Sequence, residues 1–254
     1  MELFCREIGD EKSPGLIVLH GLFGSSRNWI SNAKALSNHF RVYSPDLRNH
    51  GESPHDISHR LEDMVLDLKE FFSQKKLLRA SLIGHSMGGL VSILFANQFP
   101  TLIDKLVIVD IAPKSYSLDY SSEFTALSMD VSQYHSREAL DKDMSKVLSS
   151  EFIRKFLQMN LEKVSRGYRW KINVDAIRNT PDRFIFPELS EPYFSGRSLF
   201  VLGEKSFFVE ENDKQNIKRY FPNVEIQTIP GAEHYLHYSH SSEFLQIVED
   251  FLLK

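Results

Sequence analysis

A single cysteine, Cys5, stands in 254 residues. No disulfide within the chain is therefore available, and no cysteine cluster exists to hold a metal. No apolar run approaches the roughly 18–20 residues that a membrane-spanning helix needs. Positive charge is not in excess: 30 Lys and Arg against 34 Asp and Glu leave a net charge of −4. Nucleic acid and anionic membrane surfaces are not the expected partners on that count. The N-terminal stretch MELFCREIGDEKSPG lacks the basic-then-apolar pattern of a secretory leader. His-Glu-x-x-His, Cys-x-x-Cys and Walker-type patterns are missing too, which leaves no motif for a metal or a nucleotide cofactor. These absences predict a soluble, cytoplasmic protein that needs no cofactor, binds no nucleic acid and makes no stable membrane insertion. They leave the oligomeric state open.

What is present is a 42% hydrophobic chain, enough for one sizeable core. Short β-favouring runs recur at Leu16–His20, Phe40–Asp46, Ala80–Gly84, Lys105–Ile111, Ser198–Gly203 and Val224–Pro230. Most are apolar on both faces, as a parallel sheet covered by helices requires. ELFCREIG near the start alternates more and fits an outer, partly exposed strand. Helical stretches lie between them. SHRLEDMVLDLKEFFSQ places Leu61, Met64, Val65, Leu68, Phe71 and Phe72 at spacings of three and four. SSEFLQIVEDFLL repeats the pattern, and MGGLVSILFANQF is apolar nearly all round, as a buried helix would be.

Residues 113–192 break the rhythm. EFTALSMD, SREALDKDMSKVLSSEFIRKFLQMNL and NVDAIRN read as helices, separated by SRGYRW and TPDRFIFPELSEP. The segment is too long for a structureless loop in a compact domain. The predicted organisation is an α/β core of residues 1–112 and 193–254, with 113–192 as a mostly helical insertion.

The third strand ends in Gly84-His85-Ser86-Met87-Gly88. Gly-x-Ser-x-Gly between a strand and a helix is the context in which a serine sits on a tight, strained turn. Glycine two residues to either side removes clashes across the turn. The turn lifts the hydroxyl to the N-terminus of the next helix, where free N–H groups and the helix dipole favour negative charge. Ser86 is thus the candidate nucleophile, and the N–H of Met87 a candidate oxyanion donor. A serine needs a base, and the base an orienting acid. His234, in IPGAEHYLH after the last strand, is the candidate base, with His237 and His240 as rivals. Asp110 ends an apolar strand. A carboxylate there needs a hydrogen-bond partner, which the ring N–H of His234 would supply. Glu204 and Glu210 are the alternative acids. Asp46, Arg48, Gly51 and Ser53 read as a structural turn in which Arg48 pairs with a carboxylate. His20 reads as a brace for its loop, and His50 and His85 as residues of the cleft rim. His39, His55, His59 and His135 read as residues of loops or solvated faces.

LHGLFGSSRNW, DLRNHGES, GHSMGG, VDIAP and GAEHYLH, in that order, resemble the successive signatures of the α/β-hydrolase fold. Together they are most similar to the YbfF-type esterases and their mitochondrial relatives. The resemblance runs from about Gly15 to the C-terminus. In most α/β-hydrolases the acid stands about three residues past the glycine of the strand that follows the insertion. Here that position is Ser206. The resemblance to the YbfF-type family implies Asp110 instead. It also implies that the second oxyanion donor is the N–H after His-Gly, that of Leu22, with Phe23 as the fallback. The insertion would then be a lid over Ser86. Phe124, Leu127, Met129, Phe152, Phe156, Met159, Tyr168 and Trp170 are candidates for an acyl pocket, or else form the core of the lid itself.

The expected activity is hydrolysis of carboxylic esters through an acyl-enzyme on Ser86. Acyl-CoA thioesters follow from the resemblance as a second substrate class. The same triad would also serve C–C bond, lactone or amide hydrolysis, and the fold also serves ligand receptors or scaffolds.

Overall fold

The computed structural model describes residues 1–180, 184–189 and 191–254. Part of the expected linker TPDRFIFPELSEP lies outside the described residues. In chain order the elements of the first half are β1 (Cys5–Ile8), β2 (Gly15–Leu19), α1 (Ile30–Leu36), β3 (Arg41–Pro45), α2 (Leu61–Gln74), β4 (Ala80–His85), α3 (Met87–Gln98) and β5 (Ile103–Val109). Then come α4 (Ser121–Leu127), α5 (Arg137–Met144), α6 (Glu151–Gln158), β6 (Leu161–Lys163), β7 (Tyr168–Trp170) and α7 (Val174–Arg178). The chain returns to the sheet with β8 (Ser198–Gly203), α8 (Glu211–Tyr220), β9 (Val224–Ile229), α9 (Leu236–Ser239) and α10 (Ser241–Leu252).

Seven strands form one sheet in the order β1-β3-β2-β4-β5-β8-β9. Only β1 is antiparallel to its neighbour. Alternation along the strands divides two cores. Ile17, Leu19, Leu82, Leu106 and Ile108 face the side that carries α2 and α3. Leu16, Val18, Ile83, Val107 and Val109 face the side that carries α1 and α10. Burial on both faces explains the continuous apolar runs, and each such side chain contributes about 1.5–3 kcal/mol relative to exposure. The edge strands differ. β1 is half-buried to exposed, as expected, and β9 buries only Ile229 fully. Both edges are polar enough to discourage pairing with another sheet. Cys5 lies near one edge, and burial pushes its thiol up to about 12, so it is inert at neutral pH. Among the described residues, no helix is long and apolar enough to cross a membrane.

Two expectations for the segment between β5 and β8 need correction. The long stretch after Ser136 is two helices, not one. Ser136 caps α5 by accepting from the Ala139 N–H, and Ser150 caps α6 by accepting from the Ile153 N–H. SRGYRW is not a bare linker. Gly167, at φ +69°, turns the chain so that β6 and β7 pair antiparallel. Tyr168 and Trp170 are β-favouring residues, but the strands are too short to show a period.

The segment is tied to the sheet side by specific bonds. Asn160 donates to the Phe23 carbonyl at 2.7 Å, Lys171 pairs with Glu52, and Lys114 pairs with Asp213 at 2.6 Å. The turn after β3 is structural, as read from the sequence. Asp46 accepts the N–H groups of Ser26 and Glu52 at 2.6 and 2.8 Å. Arg48 makes a two-pronged bond to Asp67 on α2, at 2.6 and 2.8 Å. Asp67→Ala would leave the buried guanidinium with more distant carboxylates alone, and is expected to lower stability by about 3 kcal/mol in denaturant unfolding. A loss below about 0.5 kcal/mol would mean that the pair does not hold this turn to α2.

Candidate active site

The strand order reverses between β2 and β4. At such a point the loops after neighbouring strands diverge and leave a crevice at their carboxyl ends. Ser86 stands there, at φ +52° and ψ −120°. Its N–H is fixed to the Val109 carbonyl at 3.1 Å. A Cβ at Gly84 would collide with the carbonyl of Gly88, and one at Gly88 would lie 2.6 Å from the His20 carbonyl oxygen. Glycine at both positions is what lets the strained serine be held this tightly.

Asp110 closes the next strand at φ +53° and is fully buried. One carboxylate oxygen accepts the Gly203 N–H at 2.9 Å. The other accepts the Ser206 hydroxyl and the His234 Nδ1–H, the latter at 2.8 Å. Donors to both oxygens offset the cost of burying this charge. They also fix the tautomer of His234, so its Nε2 is the basic edge. Phe208 stacks on the imidazole at 3.6 Å between centroids and fixes its plane. His85 donates to the His234 carbonyl at 2.9 Å, so the residue before the serine braces the loop that carries the imidazole. Among the described hydrogen bonds, none joins Ser86 Oγ to His234. Both residues line one cavity, and such contacts tighten when substrate binds.

The alternatives for the acid and the base are engaged elsewhere. Glu204 accepts the Gly231 N–H at 2.7 Å, and Glu210 lies in the cap of α8. His237 stacks on Trp29, and His240 bonds Ser239. The loop after β2 separates the two candidate donors just as clearly. The Phe23 N–H is spent on His50 Nε2 at 3.2 Å. The N–H groups of Leu22 and Met87 have no partner among the described hydrogen bonds. His20 braces this loop, as expected, by donating to the Gly21 carbonyl and accepting the Leu47 N–H.

Several side-chain expectations need correction. His50 is buried beneath the loop rather than at the rim, because its ring must accept the Phe23 N–H. His59 is buried beside it, whereas His39, His55 and His135 are exposed. The cavity holds about 750 Å³. Of the eight acyl-pocket candidates only Phe152 lines it. Phe156 and Met159 line a neighbouring pocket, and Leu127 and Tyr168 are buried in the segment's own core. Phe124 packs edge-on against Phe23, and Trp170 donates to the Met129 carbonyl. The sequence reading missed Tyr120, Phe207, Phe208 and Tyr235 as cavity walls. It also gave no role to Ser206. The only available signal was that Ser206 stands three residues past Gly203. Among the described residues, no group of three or more His, Cys, Asp or Glu is arranged for a metal ion.

Burial holds His20, His50 and His85 below the usual histidine range and His237 at about 3. Each folded-state pKa lies below the unfolded value of about 6.5. Stability is therefore intact above that pH and falls as pH drops toward the folded-state values. The slope is about 1.4 kcal/mol per pH unit for each proton taken up on unfolding. Urea unfolding at pH 7, 6 and 5 is expected to show a steep loss below pH 6.5 that His50→Gln reduces. A flat profile from pH 7 to 5 would contradict the neutral assignment of these rings.

With this geometry in view, likeness to known proteins carries weight. Residues 14–241 match the family model described as alpha/beta hydrolase fold. The chain is 38% identical to the sn-1-specific diacylglycerol lipase ABHD11 of Mus musculus, over 96% of this chain and 82% of that protein. It is 29% identical to a probable alcohol acetyltransferase of Wickerhamomyces anomalus, over 98% and 81%. A solved structure titled "Marine microorganism esterase" superposes with a TM-score of 0.92 at 36% identity, covering 98% of this chain and 99% of that one. The chain belongs to the α/β-hydrolase fold family.

Proposed function

We propose that the protein is a serine hydrolase of carboxylic esters. The observation that carries this reading is the juxtaposition at one cavity of a strained serine, an imidazole fixed by a buried carboxylate, and two unspent backbone N–H groups. In this reading Ser86 attacks the acyl carbonyl while His234 Nε2 takes its proton. The oxyanion is held by the N–H groups of Leu22 and Met87. His234 then protonates the leaving alcohol, and the acyl-enzyme is released by water, with His234 again as base. Asp110 holds the tautomer and stabilises the imidazolium. Residues 113–192 act as a lid over the core of 1–112 and 193–254. They exclude water and shape the substrate cavity.

The finer reading within the family is the YbfF-type esterase, with thioesters of coenzyme A as a second substrate class. It is supported by the acid standing at the end of β5 with Ser206 at the later position. The relative named as an acetyltransferase supports one variation, in which an alcohol replaces water as the acyl acceptor. The cytoplasm is the proposed location, supported by the low cysteine content that suits a reducing compartment.

The test is turnover of p-nitrophenyl esters from acetate to palmitate. Ser86→Ala and His234→Ala are expected to lose about 10⁶-fold in kcat, and Asp110→Asn about 10⁴-fold. Glu204→Gln is expected to stay within about twofold of the parent, since its carboxylate faces the Gly231 N–H. Activity that survives Ser86→Ala would overturn the mechanism. A Glu204→Gln loss as large as that of Asp110→Asn would overturn the choice of acid.

A further inference from the structure

The imidazole of His234 is held from two directions. In its plane, Nδ1–H donates to the Asp110 carboxylate at 2.8 Å. Over its face lies the ring of Phe208, 3.6 Å between centroids and 13° from parallel. Uncharged aromatic rings prefer offset or edge-on contacts with centroids about 4.5–7 Å apart, because face-to-face overlap brings two negative π faces together. Elsewhere in this protein Phe23 meets Phe124 edge-on at 5.5 Å. His237, an imidazole that burial keeps neutral, stacks on Trp29 at 4.4 Å. No other described ring pair comes closer than 4.0 Å. A near-parallel overlap at 3.6 Å is poor for two neutral rings and favourable when one of them is a cation.

Phe208 is buried, and its backbone is fixed on both sides. Its N–H donates to the Ser206 hydroxyl oxygen at 3.3 Å, and its carbonyl accepts the Tyr116 hydroxyl at 2.8 Å. The Ser206 hydroxyl in turn donates to Asp110. The ring is therefore placed by the same loop that satisfies the carboxylate, and it has little freedom to slide off the imidazole. During turnover the proton of Ser86 Oγ passes to His234 Nε2. The imidazole then has N–H on both nitrogens and carries a full positive charge. That charge is present when the acyl-enzyme forms and again when water attacks it. The negative face of a phenyl ring attracts it. The contact is therefore stronger in the transition state than in the resting enzyme, which is the condition for accelerating a reaction.

We propose that Phe208 is a further positioning residue of the hydrolytic reaction, whose ring face stabilises the imidazolium form of His234. The proposal rests on the esterase reading and deepens it. Asp110 meets the charge in the plane of the imidazole, and Phe208 meets it over the face. A ring that acted by shape alone would be replaceable by any flat apolar ring of the same size. This role requires electron density on the face as well.

The test replaces Phe208 by 4-fluoro-, 3,5-difluoro- and 3,4,5-trifluorophenylalanine. These keep the ring flat and nearly unchanged in size while withdrawing electron density from its face. Turnover of p-nitrophenyl acetate is then measured across the series. The expected result is a stepwise fall in kcat with each fluorine, to about fivefold below the parent at the third, with KM within about twofold. Phe208→Leu removes the face altogether and is expected to lose about tenfold in kcat. If that variant fails to fold, the fluorinated series carries the test by itself. Equal kcat across the fluorinated series would overturn the proposal and leave the ring a role of shape alone. Parent kcat in folded Phe208→Leu would overturn it as well. Hydrolysis by the parent no faster than by Ser86→Ala would overturn the esterase reading and this proposal with it, whereas a flat series in an active parent overturns this proposal alone.

Discussion

The buried carboxylate of Asp110 is the constraint on which the rest of the site depends. A charge with no solvent exposure is tolerable only because the Gly203 N–H, the Ser206 hydroxyl and the His234 ring all donate to it. Those donors come from the ends of β8 and β9, so satisfying one carboxylate also fixes two loops. The Asp110 N–H in turn bonds the Val201 carbonyl at 2.9 Å, and the Ser86 N–H bonds the Val109 carbonyl. The chain thus extends its sheet bonding one residue past β4 and β5, and it places the serine and the carboxylate where each strand would otherwise end. Both residues have positive φ, a conformation costing of order 1–3 kcal/mol each that surrounding contacts must hold in place.

The segment between β5 and β8 completes the cavity from the opposite side. Asn160 holds the Phe23 carbonyl, Tyr116 holds the Phe208 carbonyl at 2.8 Å, and Phe152 and Phe156 lean on Tyr235. Phe23 and Tyr235 each stand one position from a residue proposed to hold or react with substrate, and Phe208 stacks on His234. The segment sets where the loop after β2, the Phe208 ring and the loop that carries His234 stand relative to each other.

How much of this was legible in the sequence follows from which forces leave a pattern. The strands of the sheet were readable because burial on two faces demands unbroken apolar runs, as in β4 and β8. The serine was readable because a strained turn demands glycine at Gly84 and Gly88. α8 went unread because Asp213 and Ile217 are its only buried residues, too few to mark a period. The β6–β7 hairpin was too short for alternation to show. His50 was misjudged because a buried neutral histidine is selected by hydrogen-bond geometry, which has no signature in composition, and His59 because its burial beside His50 is set by the fold. Ser206 could be excluded as an acid from its chemistry, but its bond to Asp110 required the fold. The cavity walls Tyr120, Phe208 and Tyr235 come from three separate loops and share no spacing at all.

The measurement that bears most directly on this account is proton NMR of the imidazole N–H groups, with histidines labelled with nitrogen-15. The account predicts a far-downfield Nδ1 proton on His234. That signal should be lost or moved strongly upfield in folded Asp110→Asn and unchanged in Glu204→Gln. A signal that persists in Asp110→Asn, or that disappears in Glu204→Gln, would contradict the claim that the end of β5 holds the imidazole in place.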